Sequence, residues 1–157
     1  YGIRCSALRL TNTYGPGMRI KDARQTFVGV WIRRLIEGQP FEVWGGSQLR
    51  DFNYVDDVVD AFLHAATSTH ADGEAFNLGS PEIVSLGELA RLLVGINGNG
   101  SFEIREFPEE RRKIDIGNYY SDYTKARQHL GWEPATALAD GLARTLAYFR
   151  EHSRHYL

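Results

Sequence analysis

Two arginines, Arg50 and Arg112, are the residues of this sequence best suited to hold an anion. A guanidinium presents a planar fork of N–H donors, which matches paired oxygens on a multiply charged ligand. The role must fall to a few placed side chains, because 18 basic residues stand against 20 acidic ones and the formal charge is −2. The plainer alternative is an ordinary ion pair, Arg50 with Asp51 or Arg112 with Glu109. Asn12 carries an amide that both donates and accepts, though beside Gly15-Pro16 it could equally bond its own backbone in a turn. Asp115 can accept from hydroxyl groups or simply sit in solvent. Beside Tyr54, Asp56 and Asp57 bring two carboxylates together, but aspartate at a helix start is more naturally a cap. His152 and His155 lack the partner pattern of a metal site, and Cys5, within an apolar stretch, reads as a small buried residue.

These residues have to be placed by elements that the sequence marks fairly well. Residues 3–10 read as a strand running into a loop over residues 11–17, where Gly15, Pro16 and Gly17 break regular structure. A helix is expected over 23–37, with Phe27, Val30, Trp31 and Leu35 on one face. Strands follow over 41–44 and 50–54. Asp56 or Asp57 would cap the next helix, whose apolar residues include Val58, Val59, Phe62, Leu63 and Ala66. Residues 75–78 read as a strand, and Ser85-Leu86-Gly87-Glu88 as a capping box opening a helix to about Val94, stopped by the glycines from 95 to 100. A strand over 102–107 precedes a helix over 124–130 that ends at Gly131. A last helix over 138–150 keeps Leu142, Leu146 and Phe149 on one stripe. Strands alternating with helices give the α/β class.

Read in order, these segments resemble the C-terminal part of the NAD-dependent epimerase/dehydratase family, the extended short-chain dehydrogenases. The residues that carry the resemblance are Leu8-Arg9-Leu10-Thr11-Asn12-Thr13-Tyr14-Gly15-Pro16-Gly17, Phe41 to Gly46, Arg50-Asp51-Phe52-Asn53-Tyr54-Val55-Asp56-Asp57, Asn77-Leu78-Gly79, Arg112-Lys113-Ile114-Asp115 and Leu130-Gly131-Trp132-Glu133-Pro134. Within the family the pattern looks nearest to UDP-glucose 4-epimerases and UDP-glucuronate decarboxylases. The resemblance implies a Rossmann domain carrying NAD and a smaller lobe gripping a nucleoside-diphosphate sugar, most naturally a UDP-sugar. It assigns the diphosphate to Arg50 and Arg112, with Arg112 preferred over Arg111 for its spacing to Asp115. It gives Asp115 the ribose or sugar hydroxyls and Asn12 the diphosphate-sugar. Glu42 and Trp44 would lie along the base, with Trp44 alternatively part of the core, and Leu10 and Thr13 beside the nicotinamide.

Family chemistry starts from a tyrosine acidified by a lysine four residues on, with NAD taking the hydride. None of the tyrosines at 1, 14, 54, 119, 120, 123, 148 and 156 has that lysine, and no Gly-x-x-Gly-x-x-Gly occurs. By the resemblance both lie upstream, so this chain reads as one domain, residues 1–17 the last Rossmann strand and loop and 18–157 the substrate lobe, with most of the Rossmann sheet missing. Alone it is expected to be inactive and to bind no NAD. The opening at Tyr1 suits a truncated or cut chain. An orphaned sheet edge implies self-association into a homo-oligomer, and a free-standing nucleotide-binding or self-associating fragment is the rival reading. The balanced charge gives no global field toward nucleic acid or a membrane surface, the lone cysteine fits a reducing compartment, and no apolar run could cross a bilayer. A cytoplasmic location is the corresponding expectation.

Overall fold

The computed structural model describes residues 2–22, 26–112 and 116–156, with the side chains at 111 and 112 outside that description. β1 (Ala7–Arg9) and β2 (Asn12–Tyr14) lead to α1 (Phe27–Ile36), β3 (Phe41–Trp44), β4 (Leu49–Tyr54) and α2 (Val55–Thr67). A 3-10 turn at Thr69–Ala71 precedes β5 (Ala75–Asn77), β6 (Ile83–Ser85) and α3 (Leu86–Asn97). β7 (Phe102–Arg105), the short α4 (Glu109–Arg112), α5 (Thr124–Leu130) and α6 (Leu138–Tyr156) complete the order, an α/β architecture. Among the described residues the strands form small sheets: β1 with β5 in parallel, β2–β4–β6, and β3 with β7 in parallel. Within β2–β4–β6, β2 and β4 are parallel and β6 is antiparallel.

Local chemistry explains the firmest boundaries. The Ser85 hydroxyl accepts from the Glu88 amide at 3.2 Å while the Glu88 carboxylate accepts from the Ser85 amide at 2.8 Å, so α3 opens on a complete capping box. Gly131, at φ 65°, ends α5 in the left-handed conformation that only glycine adopts cheaply. Leu142, Leu146 and Phe149 are all buried along α6, as their spacing requires. α6 continues past the expected end at 150 to Tyr156, because Tyr148 stacks on His152 at 4.3 Å and its hydroxyl meets that of Tyr156 at 2.9 Å. Likewise α3 runs through Gly95 to Asn97. Arg150 holds Asn97 from α6, and Gly98 closes the helix at φ 79°.

Other expectations are corrected. Residues 12–14 are strand, not loop; the chain kinks at Thr11, whose carbonyl accepts from the Thr13 amide at 2.9 Å, and pairs again beside β4. The opening strand is limited to 7–9, and Cys5 is exposed before it. The start of the expected helix at 23–25 lies outside the described residues. Asp56 and Asp57 stand in the first turn of α2 without capping it; the N-cap is Tyr54, with no side-chain cap bond. Asp57 instead reaches across the chain to accept from the Thr136 amide and hydroxyl, both at 3.1 Å.

Among the described residues two apolar clusters hold the fold. The larger joins α1, α3 and α6 to β3 and β4 through Trp31, Phe41, Val43, Phe52, Leu89, Leu93 and Phe149. The smaller packs α2 and α5 against β5 through Val58, Ala61, Phe76, Ala126 and Trp132. On α2 the buried face is Val58, Ala61 and Ala65; Val59, Phe62 and Leu63, which the apolar stripe would also bury, are 50 to 58% exposed.

Candidate functional site

β4 carries the central residue. Period-two alternation sends Arg50 to one face of the strand and Asp51 and Asn53 to alternate faces from their neighbours. Arg50 is only 8% exposed, and a buried guanidinium needs partners for its donors. It donates to the carbonyl of Leu49 at 2.8 Å and to that of Gly117, and its backbone bridges Tyr119 in parallel. The Tyr119 amide donates to Leu49 at 2.9 Å and the Leu49 amide to the Asn118 side chain at 2.9 Å. Residues 117–119 thus form an extra edge along β4, and Arg50 is seated between strand and loop.

The ion pair of Arg50 with Asp51 does not form this way. Asp51 is fully buried, and its Oδ2 accepts from the amides of Ser80 at 3.2 Å and Ser121 at 3.1 Å. Burial raises its carboxyl above the usual carboxylate range, and the two amides oppose that rise. Asn12 does not bond its own turn either. Its Nδ2 donates to the Asp51 carbonyl at 3.0 Å, and in the sheet Asn12 stands opposite Phe52, on the strand next to the one that carries Arg50. Thr11 donates to Asn53 Oδ1 at 2.9 Å, and Asn53 donates to the Gly79 carbonyl at 2.8 Å. Sequence reasoning missed Asp51 and Asn53 as parts of the site, although the alternation of β4 was the signal that neighbours 50 and 51 face apart.

Glu42 and Trp44 stand on the β3–β7 sheet, joined to β4 by the turn through Gly45 and Gly46. Glu42 is exposed, 3.6 Å from Arg105, and accepts from Trp44 Nε1 at 3.3 Å. Trp44 is half-buried, edge-on to Phe107 at 6.2 Å. Arg112 contributes its backbone to α4, but its side chain lies outside the described residues, as does Asp115 entirely. The structure therefore brings Arg50 and Asn12 onto one sheet, and Glu42 and Trp44 onto the next.

Leu10 is 42% exposed, and the Thr13 hydroxyl is buried with no hydrogen-bond partner among the described residues. Thr13 lines a hollow of about 250 Å³ with Pro16, Met18 and Val55. Leu10 is not among the residues that line it. Tyr14, next to Thr13, is a donor and not a base: burial, with Glu82 and Asp57 nearby, holds its phenol far above the usual range while it donates to the Leu138 carbonyl at 3.3 Å. Among the described residues no helix is long and apolar enough to cross a membrane.

Residues 1–79 match the NAD dependent epimerase/dehydratase family. The chain is 37% identical over 160 residues to UDP-glucuronic acid decarboxylase 1 of Xenopus tropicalis, covering 98% of this chain and 35% of that protein. It is 35% identical over 155 residues to UDP-glucose 4-epimerase of Mycolicibacterium smegmatis, covering 98% of this chain and 48% of the relative. A UDP-glucose 4-epimerase of Thermotoga maritima, solved with UDP-glucose, superimposes with a TM-score of 0.81 at 34% identity, over 98% of this chain and 48% of that one. The chain spans between about a third and a half of these relatives' lengths.

Proposed function

The chain belongs to the NAD dependent epimerase/dehydratase family, and from that premise we propose that it is the part of a nucleotide-sugar enzyme that grips the nucleoside diphosphate. The whole protein's activity is then epimerisation, dehydration or decarboxylation of a UDP-sugar. Arg50 and Arg112 clasp the diphosphate, Asn12 and Asp115 bond its sugar side, and Glu42 and Trp44 flank the base. Residues 1–17, which carry β1 and β2, are the end of the cofactor domain, and 18–157 the substrate lobe, from which β5 returns to pair with β1. NAD, bound in the whole protein, supplies the hydride acceptor, and Leu10 and Thr13 touch its ring. Without the tyrosine-lysine pair this chain holds substrate and turns nothing over.

Arg50 is the observation that carries the reading: a nearly buried guanidinium, on the same sheet as Asn12, in a chain similar to a UDP-glucuronic acid decarboxylase and a UDP-glucose 4-epimerase. A calorimetric titration of the 157-residue chain with UDP and with uridine tests it. UDP is expected to bind at least about tenfold more tightly, the worth of one charge-assisted hydrogen bond. Equal affinity for both, or none for either, overturns the reading.

Self-association is the second reading, favoured by the apolar surface that α2 leaves bare at Val59, Phe62 and Leu63. Light scattering is expected to give a mass of at least twice 17.8 kDa. The Phe62→Asp variant should return the monomer, and a wild-type monomer rules self-association out.

A further inference from the structure

From the geometry behind Arg50 we infer that Asp51 is a positioning residue for the anion grip: its buried carboxylate sets where the loop 117–121 runs and, through that loop, where the Arg50 guanidinium is held. Three other stretches of chain meet at this carboxylate or at its own carbonyl. Ser80 and Ser121 donate their amides to Oδ2, and Asn12 donates its side-chain amide to the Asp51 carbonyl. Ser121 lies just beyond Tyr119, whose backbone pairs with β4 at Arg50, and Gly117 at the loop's other end presents its carbonyl to the Arg50 guanidinium. Anchoring Ser121 therefore fixes the whole edge that seats Arg50.

The approach is as close as the backbone permits. A Cβ at Gly79 would stand 2.6 Å from the Ser121 carbonyl oxygen and 3.0 Å from Asp51 Oδ2, so glycine there lets the two loops converge on one oxygen. A carboxylate suits that oxygen better than an amide. It accepts only, and charge-assisted bonds to backbone N–H groups are about twice as strong as neutral ones. Asp51 Oδ1 is buried with no hydrogen-bond partner among the described residues, an arrangement that stability alone does not favour. Burial of the charge is a cost to the fold, and its return is a loop held in one place.

The test is amide hydrogen exchange on the 15N-labelled chain, with the UDP titration repeated, in wild type, Asp51→Asn and Gly79→Ala. Both variants are expected to lose protection about tenfold at Ser121 and Tyr119 while Leu89 and Leu93 in α3 keep theirs. UDP affinity should fall about tenfold in Asp51→Asn with uridine unaffected. Protection lost evenly across α3 and residues 119–121, or kept at Ser121, overturns the inference. If Asp51→Asn does not fold, the exchange pattern of Gly79→Ala decides. The binding arm rests on the diphosphate reading of Arg50. A wild-type chain that ignores UDP removes that reading, while the exchange pattern still decides the role of Asp51.

Discussion

Gly141→Ala is expected to destabilise the fold by about 2–4 kcal/mol, the opposite of what helix propensity dictates. Alanine in place of glycine inside a helix is ordinarily favourable by up to about 1 kcal/mol. Here a Cβ at 141 would stand 2.1 Å from the Tyr14 hydroxyl oxygen, 2.9 Å from Cζ and 3.0 Å from the Tyr54 ring. Neither ring can give way, since Tyr14 is 2% and Tyr54 4% exposed, packed edge-on at 5.7 Å. The Tyr14 hydroxyl would be driven off the Leu138 carbonyl and left buried without an acceptor. Overpacking costs about 1–3 kcal/mol and an orphaned buried hydroxyl a similar amount, so packing outweighs propensity. Thermal unfolding should shift down by roughly 5–15 °C. Tyr14→Phe in the same chain removes the colliding oxygen, so the double variant should recover part of the loss. An unchanged or raised midpoint in Gly141→Ala would show that α6 slides to make room.

That close approach was invisible in the sequence, and the reason is general to this chain. Signals confined to a few consecutive residues were legible: the capping box of Ser85 and Glu88, the left-handed Gly131, the stripe of Leu142, Leu146 and Phe149. Structure that depends on a distant partner was not. β2 is strand because β4 lies beside it, some 40 positions on, while its own Tyr14-Gly15-Pro16 reads as a turn. β6 is three residues long and exists by pairing with β4. α2 is apolar around most of its circumference, so only the presence of β5 and α5 selects Val58, Ala61 and Ala65 as its inner face. At the site, Arg50 could be singled out by type and by resemblance to a family. Its carbonyl partner on Gly117 is 67 positions away and had no local signal. Asp51 was the reverse case. Adjacency suggested a pair with Arg50, where alternation along a strand already placed the two apart.

Arg50→Ala should weaken UDP binding by one to two orders of magnitude, since a charge-assisted hydrogen bond to a charged ligand contributes about 1.5–3 kcal/mol. Uridine, which has no phosphate, should lose nothing, and that contrast separates loss of a grip from loss of the fold. Arg50→Lys keeps the charge but not the planar fork, so it should fall between wild type and alanine. A cost in stability is also expected in both variants. The Gly117 carbonyl loses its donor and the edge formed by 117–119 loosens against β4. The two effects divide by ligand: a loosened edge lowers the unfolding midpoint whether or not UDP is present, whereas the lost grip shrinks the increment that UDP adds to that midpoint. In wild type that increment should grow with UDP concentration; in Arg50→Ala it should require roughly tenfold or more additional UDP to match. Matching increments in wild type and Arg50→Ala would mean that the guanidinium serves only the loop carbonyls, and that the diphosphate is held elsewhere.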